Sequence, residues 1–439
     1  MEVVIVGAGL AGSEAAYYLL KKGIKVILYE MKPNKFSPAH KNPNFAELVC
    51  SNTFGSIEIT NASGLLKKEM EIFDSIVLKA AKISYVPAGN ALAVDRKLFS
   101  EFITQTLKSF PNLTVINEEF YNIKEFINSN KPIIISTGPL TSEKLFNNLK
   151  SIIKKEYLYF FDAISPIVDA FSIDYTKGFW ASRYQQNSND YFNCILTKEE
   201  YDNFYNELIN AQTVEFKEFE RDVYFEGCLP IEEMAKRGYK TLLYGPMKPV
   251  GLIDPNTNKR PYAVVQLRKE NKEGSMLSLV GFQTKMKYQE QARVLRLIPA
   301  LRNAEFVRFG SIHKNIFIQS NYVLSKYLNL REHRNIFFAG QITGVEGYIA
   351  SAATGIIAAI NALRYLKNQD LIEFPPNTIM GALVNYITTK EGELQPINPV
   401  WNIIPDYTDF KHLSKEEKKK EIAKKSLEIL ENLKKNFDL

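Results

Sequence analysis

Val3-Val4-Ile5-Val6-Gly7-Ala8-Gly9-Leu10-Ala11-Gly12, continuing through Ser13-Glu14-Ala15-Ala16-Tyr17-Tyr18-Leu19-Leu20, reads as a buried strand that enters a Gly-x-Gly-x-x-Gly turn and leaves it as a helix. Each glycine has its own reason to be there. Gly7 turns the chain tightly, Gly9 lets the main chain approach a pyrophosphate, and Gly12 lets helix and strand pack closely beneath the helix N-terminus. A second apolar run, Lys25-Val26-Ile27-Leu28-Tyr29, ends on Glu30. That is roughly the twenty-residue offset at which an acid accepts hydrogen bonds from a ribose 2′-hydroxyl. An acid there disfavours a 2′-phosphate, so the turn predicts the adenosine end of FAD or NAD rather than NADP.

The chain has 439 residues, 45% of them hydrophobic, and chains beyond about 250–300 residues usually divide, so two domains are expected. No run of about 18 apolar residues is present, and an opening strand with a glycine-rich sequel matches no secretory signal; both predict a cytoplasmic protein without a membrane span. The three cysteines are Cys50, Cys194 and Cys228. No Cys-x-x-Cys pair links them, so no zinc ribbon, local redox disulfide or metal site is expected, and any cysteine that matters does so as a thiol. A net charge of +6 is compatible with nucleic acid without requiring it. Part of the excess sits on a predicted helix from Ser414 to Lys435. There Ile422, Leu427, Ile429, Leu430 and Leu433 oppose Lys418, Lys419, Lys420, Lys424 and Lys425, a basic face that is either solvated surface or a contact with RNA phosphates.

Along the chain, the loop from Met31 to Ser56 is rich in Pro, Asn and Ser and longer than a structural connection needs, which marks it as a functional candidate. The periodicity predicts helices over Leu65 to Lys82 and Asp95 to Phe110, then a strand from Leu113 to Ile116. Pro132 to Pro139 reads as a buried strand ending in Thr137-Gly138. From Tyr157 the pattern changes to short aromatic-rich strands, Tyr157 to Phe161, Gly178 to Tyr184, Tyr262 to Arg268 and Ser278 to Gln283. Nucleotide-domain character returns with Asn335-Ile-Phe-Phe-Ala-Gly-Gln341 and Gly344-Val-Glu-Gly-Tyr348, which lead into the small-residue helix Ala350 to Arg364. The predicted fold is therefore α/β: a Rossmann-like FAD-binding domain formed by residues 1–157 and 313–439, the second part carrying the C-terminal helix, with a mixed α+β substrate domain, residues 158–312, inserted between them.

Several stretches together carry a more specific signal: Gly7 to Ala16, Phe45-Ala-Glu-Leu-Val-Cys-Ser-Asn52, Ala91-Leu-Ala-Val-Asp-Arg96, Thr137-Gly-Pro-Leu-Thr-Ser142, Phe225-Glu-Gly-Cys-Leu-Pro-Ile231, Tyr244-Gly-Pro-Met-Lys-Pro-Val-Gly-Leu252, Val280-Gly-Phe-Gln-Thr284 and Phe338-Ala-Gly-Gln341 through Gly347-Tyr348. Over nearly its whole length the sequence resembles the TrmFO family, the folate- and FAD-dependent RNA (uracil-5-)-methyltransferases. The same segments set it apart from the larger glucose-inhibited-division (MnmG) flavoproteins that modify wobble uridine with a partner protein, the second reading of this chain. A third reading is a catalytically silent RNA-binding paralogue.

The resemblance implies a bound FAD at Gly7, Gly9, Gly12, Glu30, Gly340, Gln341, Gly347 and Tyr348, methylenetetrahydrofolate as one-carbon donor, NAD(P)H as reductant, and folded RNA as partner, either the tRNA T-loop or 23S rRNA, with the oligomeric state left open. It assigns Cys228 as nucleophile and Cys50 as its catalytic partner. The residues allow this independently: uracil C5 becomes nucleophilic only after a group adds to C6, and a thiolate both adds and leaves well. Arg221, Lys236 and Arg237 lie near Cys228 in sequence and could favour its thiolate. Cys194 is read as structural.

Four further residues are substrate-binding candidates, each with a structural alternative. Asn52 is either a turn residue or a hydrogen-bonding partner for flavin or base. Lys248 and Arg268 pair either with folate glutamate or RNA phosphate, or across a domain interface. His313 is placed near the flavin, unless it is a satisfied structural histidine. Three departures from the family pattern stand out. Ser-Asn-Ser-Leu-Arg-Ser becomes Ser51-Asn52-Thr53-Phe54-Gly55-Ser56, Gly-Tyr-Val-Glu-Ser-Ala becomes Gly347-Tyr348-Ile349-Ala350-Ser351-Ala352, and His-Arg-Asn becomes His313-Lys314-Asn315. They are expected near the centre of the site and bear on the RNA target.

Overall fold

Val3, Val4, Ile5 and Val6 are all buried, and an apolar run buried on both faces belongs in the middle of a parallel sheet. The computed structural model, which describes residues 1–153, 158–183, 189–214, 229–405 and 413–439, places it there. Five parallel strands lie in the order Ile336–Phe338, Ile133–Ile135, Glu2–Val6, Lys25–Tyr29 and Leu113–Ile116. The chain leaves Glu2–Val6 with neighbours on both sides reached by different crossovers, and such a switch point opens a crevice at the carboxyl ends of the strands.

Two helices run side by side on this sheet, Leu10–Lys21 and Tyr348–Leu366. They approach so closely that a Cβ on Gly355 would stand 2.2 Å from the Ala11 carbonyl oxygen. Tyr348–Leu366 is long and apolar enough to cross a membrane, but Ile349 through Leu363 are buried in the fold, which makes it the core helix of this unit.

The second unit has its own sheet and its own core. Six strands pair antiparallel in the order Gly178–Trp180, Tyr191–Leu196, Ala263–Lys269, Met276–Leu279, Ile167–Asp169 and Phe306–Arg308. Phe192, Tyr201, Phe204 and Phe282 fill the space between this sheet and the helix Lys198–Ile209. A two-strand ladder, Leu158–Ile164 against Ser311–Phe317, carries the chain into this unit and out of it. Of the expected domain boundaries, 157/158 falls at the start of the first of these strands and 312/313 within the second. The architecture is the Rossmann-like FAD-binding type with an additional α+β unit.

Three elements differ from their sequence reading. The helix expected over Leu65 to Lys82 is two, Ala62–Ile72 and Ile76–Ile83, broken where Asp74 adopts φ of 63°. The cause is Glu14, whose buried carboxylate accepts hydrogen bonds from the Ile76 and Val77 N–H groups and the Ser75 hydroxyl, so a new helix begins there. The strand expected from Ser278 to Gln283 runs over Met276–Leu279, because Gly281 turns the chain at φ of 76° against Pro246. The strand expected to reach Tyr184 ends at Trp180; Tyr184 and Tyr157 lie outside the described residues.

The C-terminal helix Lys415–Phe437 starts on a Ser414/Glu417 capping box and buries Ile422, Ala423, Ser426 and Leu430 against the helix Ala62–Ile72. Its anchor is polar. Fully buried Glu69 accepts from the Ile379 and Met380 N–H groups at 2.8 and 2.7 Å and from the Ser426 hydroxyl at 2.5 Å. One carboxylate thereby joins three helices. Removing it would leave two buried N–H groups unpaired, at about 1–3 kcal/mol each.

Burial pushes the carboxyl groups of Glu14 and Glu69 up to about 7, against the hydrogen bonds that favour their ionised forms. A folded-state value above the unfolded one of 4.5 means the native chain binds more protons between these two limits. Stability from these groups is thus complete below the lower limit and is lost as pH rises to about 7. Glu69→Gln cannot ionise; it keeps one of the two acceptor oxygens and turns an NH2 toward the other donor, a cost that does not vary with pH. Its melting temperature relative to wild type is expected to rise between pH 5 and pH 8; a difference that does not change with pH would contradict this assignment.

Candidate active site

At the carboxyl ends of Glu2–Val6, Lys25–Tyr29 and Ile133–Ile135 lies a cleft partly open to solvent. Gly7 through Ala11, Glu30, Thr137 through Ser142, Gly340, Gln341 and Tyr348 form its walls. The three fingerprint glycines act differently. Gly7 sits at φ of +94°, where a Cβ would also stand 2.8 Å from the Ser136 carbonyl oxygen. A Cβ on Gly12 would lie 1.9 Å from the Gly7 carbonyl oxygen. A Cβ on Gly9 meets no protein atom within 4 Å and would project into the cleft. The first two positions are closed by the fold, the third only by what occupies the cleft.

Gly9 begins the helix Leu10–Lys21 with no side-chain cap, so its first N–H groups are free to bind an anion. A second helix N-terminus meets the same cleft: Gly347, at φ of +92°, begins Tyr348–Leu366, and Tyr348 and Ser351 line the wall. Two positive dipole ends on one cleft suit a diphosphate and an electron-rich ring. Glu30 is fixed by its neighbours, Oε2 accepting from Ala8 N–H at 2.9 Å and Oε1 from Lys32 N–H at 3.0 Å. Each oxygen keeps a lone pair for a ribose hydroxyl. These residues fit FAD.

Around this cradle the long loop folds inward. Lys32 is buried, its ammonium donating to the Asn42 carbonyl at 3.2 Å and lying 3.8 Å from Glu47, and burial lowers its pKa despite Glu30 and Glu47. His40 is held to about 4 by burial, with Lys32 and His313 adding to the effect. It is therefore a neutral ring at pH 7 on the cleft wall.

Cys50 stands half-buried at the rim beside Val49. Its N–H donates to the Tyr348 hydroxyl at 2.7 Å. Two guanidinium groups hold the carbonyls of its loop: Arg96 donates to Leu48 at 2.6 Å and Cys50 at 3.1 Å, and Arg308 donates to Val49 at 3.2 Å and Cys50 at 3.1 Å. Arg96 pairs with buried Glu270 at 2.6 Å. Arg268 donates to Asn52 Oδ1 at 3.1 Å. Three arginines thus surround one carboxylate. Burial opposes ionisation of Glu270, yet Arg96 and Arg268 hold its carboxyl below the usual range, while burial and Arg96 bring Arg308 down to about 10. Arg268 and Arg308 stand on the second sheet and Glu270 directly follows its strand Ala263–Lys269, so the backbone of Cys50 is tied to the other unit.

The sequence candidates separate into those at the cleft and those elsewhere. Gly7, Gly9, Glu30, Gly340, Gln341 and Tyr348 line it, while Gly12 and Gly347 shape its two helix N-termini. Asn52 is fully buried. Its amide donates to the Val94 and Lys269 carbonyls and accepts from Arg268, so the structure uses it as a joint between the units rather than as a free partner for base or flavin. Arg268, also buried, takes the interface role. Lys248 lies in the second unit, its carbonyl accepting from Arg183 at 2.6 Å, and is not part of the cleft wall. His313 sits on the ladder with Nε2 3.0 Å from the Ser311 hydroxyl. Burial and Arg308 lower its pKa, and it neighbours His40 electrostatically. Cys228 and Arg221 lie outside the described residues. Cys194 is buried in the second core, where burial raises its thiol pKa well above the usual range.

Two departures from the family pattern were expected near the centre of the site and are not there. Gly55 is an exposed residue at φ of +74° on a strand edge, and Ala350 is fully buried behind the cleft wall. Sequence reasoning assigned no role to Arg96, Glu270 or Arg308. Arg96 did stand in a quoted motif, directly after the helix-capping Asp95. Among the described residues no group of three His, Cys, Asp or Glu side chains is placed to hold a metal ion.

Residues 2–370 match the family model described as glucose inhibited division protein A. The methylenetetrahydrofolate--tRNA-(uracil-5-)-methyltransferase TrmFO of Aquifex aeolicus is 60% identical over 430 residues, covering 98% of this chain and 96% of its own. Its namesake from Exiguobacterium sibiricum is 50% identical over 432 residues, covering 98% of both chains. The chain belongs to the TrmFO family. A crystal structure of Aquifex aeolicus GidA superposes with a TM-score of 0.71 at 16% identity, covering 99% of this chain and 73% of GidA. At that identity the likeness is one of fold, and the TrmFO relatives match along their whole length.

The open space at Gly9 makes a clean test of the cleft within this TrmFO chain. Gly9→Val is expected to keep the native far-ultraviolet circular dichroism spectrum and to lose bound flavin, read from the visible absorbance of the purified protein. Stoichiometric flavin in that variant would contradict the placement of the diphosphate at this turn.

Proposed function

We propose that this chain is a methylenetetrahydrofolate- and FAD-dependent tRNA (uracil-5-)-methyltransferase that forms 5-methyluridine in the T-loop, with NAD(P)H as the external reductant. The observation that carries the reading is full-length likeness, at 50–60% identity, to relatives named for that reaction, joined to a cradle that fits FAD with a cysteine at its rim. A ribosomal-RNA target draws no support from those relatives. The MnmG-like alternative rests on fold likeness at 16% identity.

In this reading Gly7, Gly9, Gly12 and the two helix N-termini seat the diphosphate, Glu30 takes the ribose, and Gly340, Gln341 and Tyr348 lie along the ring end. Bound there, FAD supplies the redox chemistry that converts the folate-derived methylene carbon to a methyl group. The Cys228 thiolate adds to uracil C6, forming the S–C6 bond and pushing the C5–C6 electron pair into the C4 enolate. C5 then forms its bond to the folate-derived methylene carbon, and that carbon's bond to its carrier nitrogen breaks with the electron pair going to nitrogen, which takes up a proton. The two electrons that bring the methylene to a methyl group come from NAD(P)H, the external reductant. Loss of the C5 proton restores the C5–C6 double bond and expels the thiolate. Cys50, held by Tyr348, Arg96 and Arg308, assists the step at C5. The hydrogen bonds to its backbone fix where the thiol stands, so orientation is set before RNA arrives. The action is placed in the cytoplasm.

The two thiols separate in a trapping experiment with a 5-fluorouracil-substituted tRNA transcript, which stalls after addition at C6. Wild type is expected to form a covalent adduct and Cys228→Ala none, with flavin content unchanged. Cys50→Ala is expected to keep the adduct while 5-methyluridine formation on normal tRNA falls by about 10²–10⁴. An adduct in Cys228→Ala would move the nucleophile elsewhere, and loss of the adduct in Cys50→Ala would make Cys50 the attacking thiol.

A further inference from the structure

Three aromatic rings of the second unit form one near-parallel ladder that ends at the surface. Tyr288 stacks on Phe309 with centroids 5.2 Å apart and planes 19° apart, and Phe309 stacks on Phe306 at 4.9 Å and 16°. The inner end is closed by a cation, the Arg296 guanidinium lying 5.9 Å from the Phe306 centroid while it donates to the Ala304 carbonyl. The outer end is open: Tyr288 is 60% exposed although one face rests on Phe309. Val307, between the two phenylalanines in sequence, is 53% exposed.

Near-parallel pairs also occur elsewhere in this unit, Tyr201 with Tyr205 at 28° and Tyr175 with Trp180 at 17°, so stacking alone is ordinary packing. The ladder differs from the Tyr201 pair in how it ends: Tyr201 is fully buried, whereas Tyr288 keeps one face open to solvent. A fixed ring with an open face is the geometry on which an unpaired base stacks. Location adds a second argument. Phe309 directly follows Arg308, whose guanidinium holds the Val49 and Cys50 carbonyls, so one short chain segment carries both the ladder and an anchor of the Cys50 loop. Lys287, immediately before Tyr288, is exposed and offers a phosphate contact.

We infer that the open face of Tyr288 is a stacking platform for an unpaired base of the RNA substrate, a base other than the uridine that is modified. This rests on the tRNA reading above. Every base has a π face, so the platform supplies affinity and orientation without selecting sequence. Tyr288 is a binding residue. The Phe309–Phe306–Arg296 column beneath it keeps the ring fixed.

The test uses the full-length protein, an unmodified tRNA transcript, and dissociation constants across a salt series. Tyr288→Ala is expected to weaken binding by about 5- to 150-fold and Tyr288→Phe to bind as wild type. The dependence on salt should be unchanged, since no phosphate contact is lost. Tyr288→Trp should bind at least as well and show fluorescence quenching on RNA addition beyond that of wild type. Wild-type affinity in Tyr288→Ala, or no added quenching in Tyr288→Trp, would overturn the platform. Equal loss in Tyr288→Phe would also overturn it, by pointing to the hydroxyl. A change in oligomeric state on sedimentation with RNA affinity intact would assign the face to a second copy of the chain instead. A wild type that neither binds nor methylates the transcript would remove the tRNA reading itself, and that result is distinct from a pattern confined to the variants.

Discussion

Everything at the cleft depends on how closely the helix Leu10–Lys21 is wedged between its sheet and its neighbour. Gly12 lies against the Gly7 carbonyl and Gly355 against the Ala11 carbonyl, with no room for a side chain at either contact. Ridges of ordinary residues would hold helix axes about 8–10 Å apart; here backbone meets backbone. The consequence is electrostatic as much as steric. Two helix N-termini, at Gly9 and Gly347, reach the same cavity, and a diphosphate placed there meets unpaired N–H groups from both.

The second dependence runs between the units. The Cys50 loop is too long to hold itself, and its carbonyls are taken by guanidinium groups that belong partly to the other sheet. Buried cations are costly unless paired. Arg96 is ion-paired to Glu270, Arg268 and Arg308 feel the same carboxylate electrostatically, and all three donate to main-chain or side-chain oxygens around Cys50 and Asn52. The backbone of the Cys50 loop and the second unit are therefore held together by these contacts.

Much of this was legible in the sequence where the signal is local. The strand, the glycine turn, the acid at Glu30 and the helix after Gly347 all lie within short windows whose spacing is set by backbone geometry. What escaped is what only the tertiary fold assembles. Arg96, Glu270 and Arg308 are far apart in the chain and carry no periodic signature, so their convergence on Cys50 could not be read from any window. Glu14 and Glu69 looked like ordinary helix residues; that each begins a distant helix by accepting its first N–H groups was invisible, and so the Leu65 to Lys82 stretch read as one helix instead of two. Asn52 shows the opposite error. A polar residue beside a reactive cysteine invites a ligand role, yet its neighbours Val94, Lys269 and Arg268 already use its amide. Ala350 and Gly55 stand beside site residues in the sequence but do not line the cleft, Ala350 because it is buried behind the wall formed by Tyr348 and Ser351 and Gly55 because it faces solvent.

The central claim is that a folate-derived carbon reaches uracil C5 through the cleft described here. The most direct measurement incubates the purified protein with NAD(P)H, an unmodified tRNA transcript, deuterated methylenetetrahydrofolate and unlabelled S-adenosylmethionine, followed by mass spectrometry of the digested nucleosides. The account predicts 5-methyluridine whose methyl group carries the deuterium of the folate methylene. Unlabelled 5-methyluridine, drawn from S-adenosylmethionine, or no 5-methyluridine from a flavin-loaded protein, would contradict it.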